Sequence, residues 1–293
     1  MIPKEIIKKI RRVHIKSSRT VNTLMAGQYR SVFKGSGIEF EEVREYSPGD
    51  DIKSIDWKVS ARLGRPFIKL YREERESIVM LLIDMSRSQV FGTFSGSKLE
   101  KAAEIASVLA FSAIKNNDKV GAVFFTDRVE KYIPPKKGSG HVWRLIKELF
   151  TFSPQGRGTD LALALDFLGR VSRKKSILFL LSDFLTGETW AKNLTTAARR
   201  HELIGVVLHD RGEFHLPGKG IVATRCLETG ETVVLDAYRK KVREAYIEKR
   251  KQHYRQILET LNRAGVDFME IGTHMAVSDV LTKFFRYREK RMR

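Results

Sequence analysis

Six consecutive apolar residues, Ile78-Val79-Met80-Leu81-Leu82-Ile83, stop abruptly at Asp84. A strand with one wet face alternates apolar and polar side chains. An unbroken run of strand length belongs to a strand covered on both faces, as in parallel sheets. The run is also far shorter than the roughly 18 apolar residues a membrane-crossing helix needs. A second run, Ile177–Leu181, ends in the same way at Ser182-Asp183. Helical periodicity lies between the two runs. Over Lys98–Lys115 the apolar positions are Leu99, Ala102, Ala106, Leu109, Ala110 and Ala113. A strand is expected at Val120–Thr126, and helices at His141–Phe150 and Asp160–Val171. Beyond the second run come a helix at Thr189–Arg200 and a strand at Leu203–His209. Strand and helix in alternation make βαβ units. The predicted fold class is therefore α/β, a doubly wound, mostly parallel sheet of Rossmann type.

Two regions depart from the alternation. Around 212–236, Val222–Arg225 and Thr232–Leu235 flank Glu228-Thr229-Gly230-Glu231, which predicts an inserted β-hairpin with glycine in its turn. A long basic helix, Tyr238–Ala264, follows, with Gly265 as its stop. A strand at Val266–Ile271 and a helix at Val277–Tyr287 complete the pattern. At the other end, Ile6, Ile7, Ile10 and Val13 recur at helical spacing among basic residues over the first 30 positions. A Gly-marked acidic stretch and short β-type runs come next, including Pro66–Tyr71. The expected domains are 1–75, a basic helix plus a small β-rich module, and 76–293, the α/β domain with its hairpin.

Charge and cysteine usage narrow the function. The chain of 293 residues has 54 Lys and Arg against 35 Asp and Glu, a formal charge of +19. Such an excess invites a nucleic-acid reading. It gathers, however, in the N-terminal arm, the 239–251 segment and the tail Lys283–Arg293. Only Tyr238 and Tyr246 offer stacking rings among those basic residues, which disfavours nucleic acid. Electrostatic steering of an acidic protein surface fits the distribution better, and a peripheral contact with lipid headgroups stays open. The single cysteine, Cys226, excludes an internal disulfide framework and a cysteine-based zinc site. With no membrane span and no apolar leader block in view, the expected location is cytoplasmic.

The chemistry concentrates at strand ends. In open α/β sheets, ligands bind outside the carboxyl ends of the strands. Asp84-Met85-Ser86-Arg87-Ser88 offers one carboxylate and two hydroxyls from a single turn, Gly158-Thr159-Asp160 lies just before a helix, and Ser182-Asp183 closes another strand. Asp84, Ser86, Ser88, Thr159 and Asp183 are all hard oxygen donors. Mg²⁺ takes such donors in octahedral array and keeps several waters; Mn²⁺ or Ca²⁺ are substitutes. Ser86 and Ser88 would bind directly and Thr159 directly or through water, with Asp84 and Asp183 acting through water or behind the ligands. One position would remain for a carboxylate from outside.

This order, Asp-x-Ser-x-Ser, a loop Thr and a strand-end Asp, resembles the metal-ion-dependent adhesion site of von Willebrand factor A domains. The N-terminal block narrows the resemblance. Gly37-Ile38-Glu39-Phe40, Arg44-Glu45-Tyr46-Ser47-Pro48-Gly49-Asp50-Asp51 and Ile55-Asp56-Trp57-Lys58-Val59-Ser60-Ala61-Arg62 are similar to the signature of a bacterial and archaeal family of unassigned function. That family has a von Willebrand A-like domain and is encoded beside MoxR-type AAA+ ATPases. Members often carry Met after the last Ser of the metal motif; here Gln89 stands there, outside the metal oxygens. The resemblance implies a non-enzymatic partner of the ATPase in chaperone-like assembly or maturation of clients.

Rival readings are weighed on the same residues. Gly92–Lys98 breaks the phosphate-loop spacing because its Lys falls too close to the first Gly. No Gly-x-Ser-x-Gly elbow occurs, and Ser86 stands where a phosphoaspartate enzyme needs a second Asp. A Mg-dependent phosphohydrolase and a basic nucleic-acid binder are the alternatives to an interaction module. Asp56-Trp57 is expected to be a structural turn, with the indole as a small core anchor. On the long helix, Ala245, Tyr246, Ile257 and Leu261 are expected to face the sheet, and the basic residues to face water.

Overall fold

The computed structural model describes residues 39–72, 76–93, 96–216 and 220–292, with Ser17 and Thr20. Apart from those two residues, the helix expected over the first 30 positions lies outside the described residues. The chain divides into a small compact unit, Phe33–Ser77, and a large one that includes Ile78–Arg293.

In the small unit, β1 (Glu39–Glu45) pairs antiparallel with β2 (Phe67–Arg72). Between them lies a short helix, α1 (Trp57–Leu63). Asp56 starts α1 by accepting the Lys58 and Val59 N–H groups at 3.0 and 3.2 Å. Gly64 stops it at φ 70°, where a side chain would be strained. Arg44 grips Asp50 at 2.8 and 2.7 Å, joining β1 to the turn that follows it. Asp56 is thus the structural turn expected. Trp57 is not a core anchor: it is 69% exposed. It opens a two-turn helix that has no buried residue.

The large unit holds a six-stranded sheet in the order β10-β7-β6-β3-β4-β5. Its strands are β3 (Ile78–Asp84), β4 (Lys119–Phe125), β5 (Val129–Lys136), β6 (Ile177–Ser182), β7 (Glu202–His209) and β10 (Asp267–Gly272). Every pairing is parallel except that of β4 with β5. The apolar runs form the two central strands, fully buried in β6 and buried in β3 after Ile78. Met80 and Leu82 point to one face, where they meet α4 (Leu161–Val171), α5 (Ala191–Arg200) and α6 (Lys240–Arg263). The opposite face receives α2 (Lys98–Lys115), whose buried Ala102, Ala103, Ala106, Ala110 and Ala113 let it lie close to the strands. Helices α3 (Ser139–Thr151) and α7 (Val277–Met292) flank α2. The fold is the doubly wound α/β architecture expected of a von Willebrand A-like domain.

Three details differ from expectation. Strand β5 has no counterpart in the sequence reading, because Pro134-Pro135 argue against a strand; an edge strand accommodates them. On α6 only Ile257 and Leu261 are buried, Ala245 is exposed and Tyr246 half-buried, so the helix buries apolar side chains fully only in its C-terminal half. The last helix runs on to Met292. The inserted hairpin is present as β8 (Ile221–Arg225) and β9 (Thr232–Asp236), a two-stranded sheet of its own. Among the described residues, no helix is long and apolar enough to cross a membrane.

Candidate functional site

The strand order fixes where a ligand would sit. Connections run one way from β3 toward β5 and the other way from β6 toward β10, so the winding reverses between β3 and β6. A crevice opens at such a switch point, outside the carboxyl ends of the two strands. Asp84 ends β3 and Asp183 follows β6, and both are buried.

The turn after β3 is wound around Asp84. Its Oδ1 accepts the Ser86 N–H at 2.9 Å, and its Oδ2 accepts the Ser182 hydroxyl at 2.6 Å and Gln89 Nε2 at 3.2 Å. Ser86 and Ser88 turn their hydroxyls to each other at 3.1 Å. Burial, with the charge of Asp183 beside it, pushes the Asp84 carboxyl up to about 7 against the hydrogen bonds from Ser182 and Ser86. Gln89 is therefore not a bystander. It is fully buried against Asp84, and its Oε1 has no hydrogen-bond partner among the described residues.

The loop before α4 delivers Thr159. Arg157 O accepts the Arg87 N–H at 3.1 Å, Thr126 O accepts the Asp160 N–H at 2.9 Å, and Thr159 O accepts the Thr186 hydroxyl at 3.0 Å. Asp160 itself caps α4 through the Leu163 N–H. Gly156 lies against β4's end so closely that a Cβ would fall 2.1 Å from Thr126 Oγ1. Three segments far apart in the chain are thereby held side by side, as the candidate set requires.

Thr159 does not hydrogen-bond to the other candidate residues. Its hydroxyl donates to Oε1 of Glu228 at 2.9 Å, and Glu228 comes from the turn of the inserted hairpin. Glu228 is half-buried there. Burial raises its carboxyl above the ordinary range, the Asp183 charge adds to this, and hydrogen bonds from Thr159, Ser88 and Ser86 oppose it. Asp183 is also engaged. Its Oδ1 accepts the Leu185 N–H at 3.1 Å, and its Oδ2 takes Lys98 Nζ at 2.5 Å. Lys98, the first residue of α2 and 1% exposed, reaches Glu213 Oε1 at 2.5 Å as well. Burial alone would lower the Lys98 ammonium; Asp183 and Glu213 hold it above its ordinary value. The lysine whose spacing fails as a phosphate loop is a buried counter-ion. Neither Lys98 nor Glu228 had a signal in the sequence, since each acts on residues at least 69 positions away.

The donor set fits a hard divalent cation. Serine and threonine hydroxyls and carboxylates are the oxygen donors that such a cation takes. No group of three or more His, Cys, Asp or Glu placed to hold a metal occurs among the described residues. Beside the site opens a cleft of about 540 Å³ lined by Arg87, Arg157, Arg225, Phe91, Leu227 and Glu228.

The doubly wound sheet, with oxygen-bearing side chains at its switch point, is that of an α/β domain protein. The chain belongs to the family described as "Protein of unknown function DUF58", whose profile matches residues 42–256. "Uncharacterized protein Rv1480" of Mycobacterium tuberculosis is 27% identical over 267 residues, covering 90% of this chain and 84% of its own. "Uncharacterized protein YeaD" of Bacillus subtilis is 30% identical over 108 residues, 36% of this chain and 25% of its own. Among solved structures, an aerotolerance-related membrane protein from Bacteroides fragilis is 18% identical, with a TM-score of 0.49 over 74% of this chain and 100% of that one. BatB from Bacteroides thetaiotaomicron is 17% identical, with a TM-score of 0.46 over 73% and 99%. The SpRpn10 VWA domain is 11% identical, with a TM-score of 0.40 over 71% and 95%.

Proposed function

We propose that this chain is a non-enzymatic, metal-dependent protein-interaction module. One observation carries the reading: the hydroxyl pair Ser86–Ser88 and the buried Asp84 and Asp183 meet at the sheet's switch point, with the Thr159 loop braced against them. The hydroxyls of Ser86, Ser88 and Thr159 would hold Mg²⁺, or Mn²⁺ or Ca²⁺ in its place. Asp84 and Asp183 would supply negative charge from behind. The cation's contribution is a point of attachment for a carboxylate. This chain's own residues prepare that point. Ser182 and Gln89 fix Asp84, Lys98 offsets part of the charge on Asp183, and the Arg157 carbonyl ties the first turn to the loop.

The exposed Arg87 and Arg157 at the cleft favour an acidic partner surface. The partner we propose is a MoxR-type AAA+ ATPase or an acidic client protein, met in the cytoplasm. The test is capture of a MoxR-type ATPase by the wild-type chain and by Asp84→Ala, each with Mg²⁺ and with EDTA. Capture by the wild type in Mg²⁺ alone is expected; equal capture in all four conditions defeats the metal-mediated reading.

A further inference from the structure

We infer that Glu228 is the chain's own carboxylate ligand for the candidate cation, so that the β8–β9 hairpin seats itself where a partner's carboxylate would go. The inference rests on the metal reading above and adds to it a residue from an element outside the original set. Glu228 lies in the hairpin turn, where neighbouring Leu227 and Thr229 are exposed, yet it is half-buried and bonded to the Thr159 hydroxyl at 2.9 Å. The same carboxyl approaches the loop glycine: a Cβ on Gly158 would lie 3.9 Å from Glu228 Oε2. A hairpin turn that turns a carboxylate inward, onto hydroxyls chosen for a cation, matches the chemistry expected of a bound acidic partner.

The rest of the hairpin gives it little other reason to stay. Ile221, Val233 and Val234 are 75%, 55% and 64% exposed, and no residue of β8 or β9 is buried. An isolated two-stranded hairpin is marginal in water. Its buried anchors lie at the roots, at Leu216 and Ala237, and Ala237 N–H closes the base on Gly220 O at 2.8 Å. A ribbon fixed at its base and held at its tip by one carboxylate is displaceable by a second carboxylate. The cleft between Arg87, Arg157 and the tip is where the displacing group would enter. A partner must therefore compete with Glu228, which sets a threshold on binding and protects the cation from stray anions.

Mn²⁺ binding followed by electron paramagnetic resonance of the free ion tests this on the full chain. Wild type, Glu228→Gln and Asp84→Ala are compared, with far-ultraviolet circular dichroism confirming that each is folded. Glu228→Gln keeps the shape and a hydrogen-bond acceptor but loses the charge, and is expected to weaken Mn²⁺ binding roughly 10-fold or more. Asp84→Ala is expected to abolish it. If Asp84→Ala abolishes binding while Glu228→Gln binds as tightly as wild type or more tightly, the self-ligand is refuted and the metal site stands. If wild type takes up no Mn²⁺, the metal reading and the self-ligand fall together.

Discussion

Replacing Lys98 with methionine keeps the length of the side chain and removes its charge. In the wild type the ammonium lies 2.5 Å from both Asp183 and Glu213, and all three side chains are at most 9% exposed. A surface ion pair is worth about 0–1 kcal/mol. Removing one partner of a buried pair costs about 3–5 kcal/mol, because the remaining charge is left without compensation. Here two carboxylates are left, in a neighbourhood that already holds Asp84 and Glu228. The upper part of that range applies, since among the described residues the cation left in a salt bridge with either carboxylate is Arg250, at 3.7 Å from Glu213. For a domain of this size, about 2–4 °C of Tm accompanies each kcal/mol. The expected drop is about 8–20 °C, read by circular dichroism melts at pH 7 in EDTA. Adding Glu213→Gln to Lys98→Met removes one of the stranded charges and should recover several degrees. Mg²⁺ should then raise the Tm of Lys98→Met more than that of wild type, because Asp183 is released from its lysine. A Tm for Lys98→Met within about 2 °C of wild type would refute the reasoning.

Gly156→Ala places a Cβ 2.1 Å from Thr126 Oγ1 and 2.4 Å from Asp127 Oδ1. It should cost about 1–3 kcal/mol in a urea melt and weaken Mn²⁺ binding through the Thr159 loop. His201 is buried with neither ring nitrogen hydrogen-bonded among the described residues, and burial followed by the Arg200 charge lowers its pKa. A lowered folded pKa means that its share of stability is complete above the unfolded value near 6.5 and is lost as pH falls. The melt of wild type should therefore drop between pH 7 and pH 5 by more than that of His201→Phe. On α6, Leu261→Ala should cost about 2–5 kcal/mol and Ala245→Ser less than about 0.5, as chemical denaturation would measure.

The sheet was legible because burial on both faces leaves a one-dimensional trace: the runs at Ile78 and Ile177 need no knowledge of their neighbours. The candidate residues at the strand ends could be named for the same reason, since topology gathers the carboxyl ends of parallel strands at one edge of the sheet. Strand β5 escaped because its prolines obey the rules of an edge, and nothing local announces that a segment lies at an edge. Trp57 was misplaced because ring size alone does not say which side of a two-turn helix packs. Lys98 and Glu228 escaped for a deeper reason. Their roles are defined by partners that only the folded chain supplies, such as Glu213 at a separation of 115 residues from Lys98.

The prolines of β5 bear on how copies of this chain meet. Pro134 and Pro135 carry no N–H, and the pairing register of β4 with β5 slips between Val120 and Ala122, opposite them. The outer rim of the sheet is thus short of donors and bent just where another strand would dock. At the far rim, Asp267 of β10 is clasped by Arg288 and Arg291 of α7 at 3.0 and 2.8 Å. A protein rich in buried apolar strands thus carries prolines at one border and an ion-paired carboxylate at the start of the other, features of the kind that discourage edge-to-edge pairing.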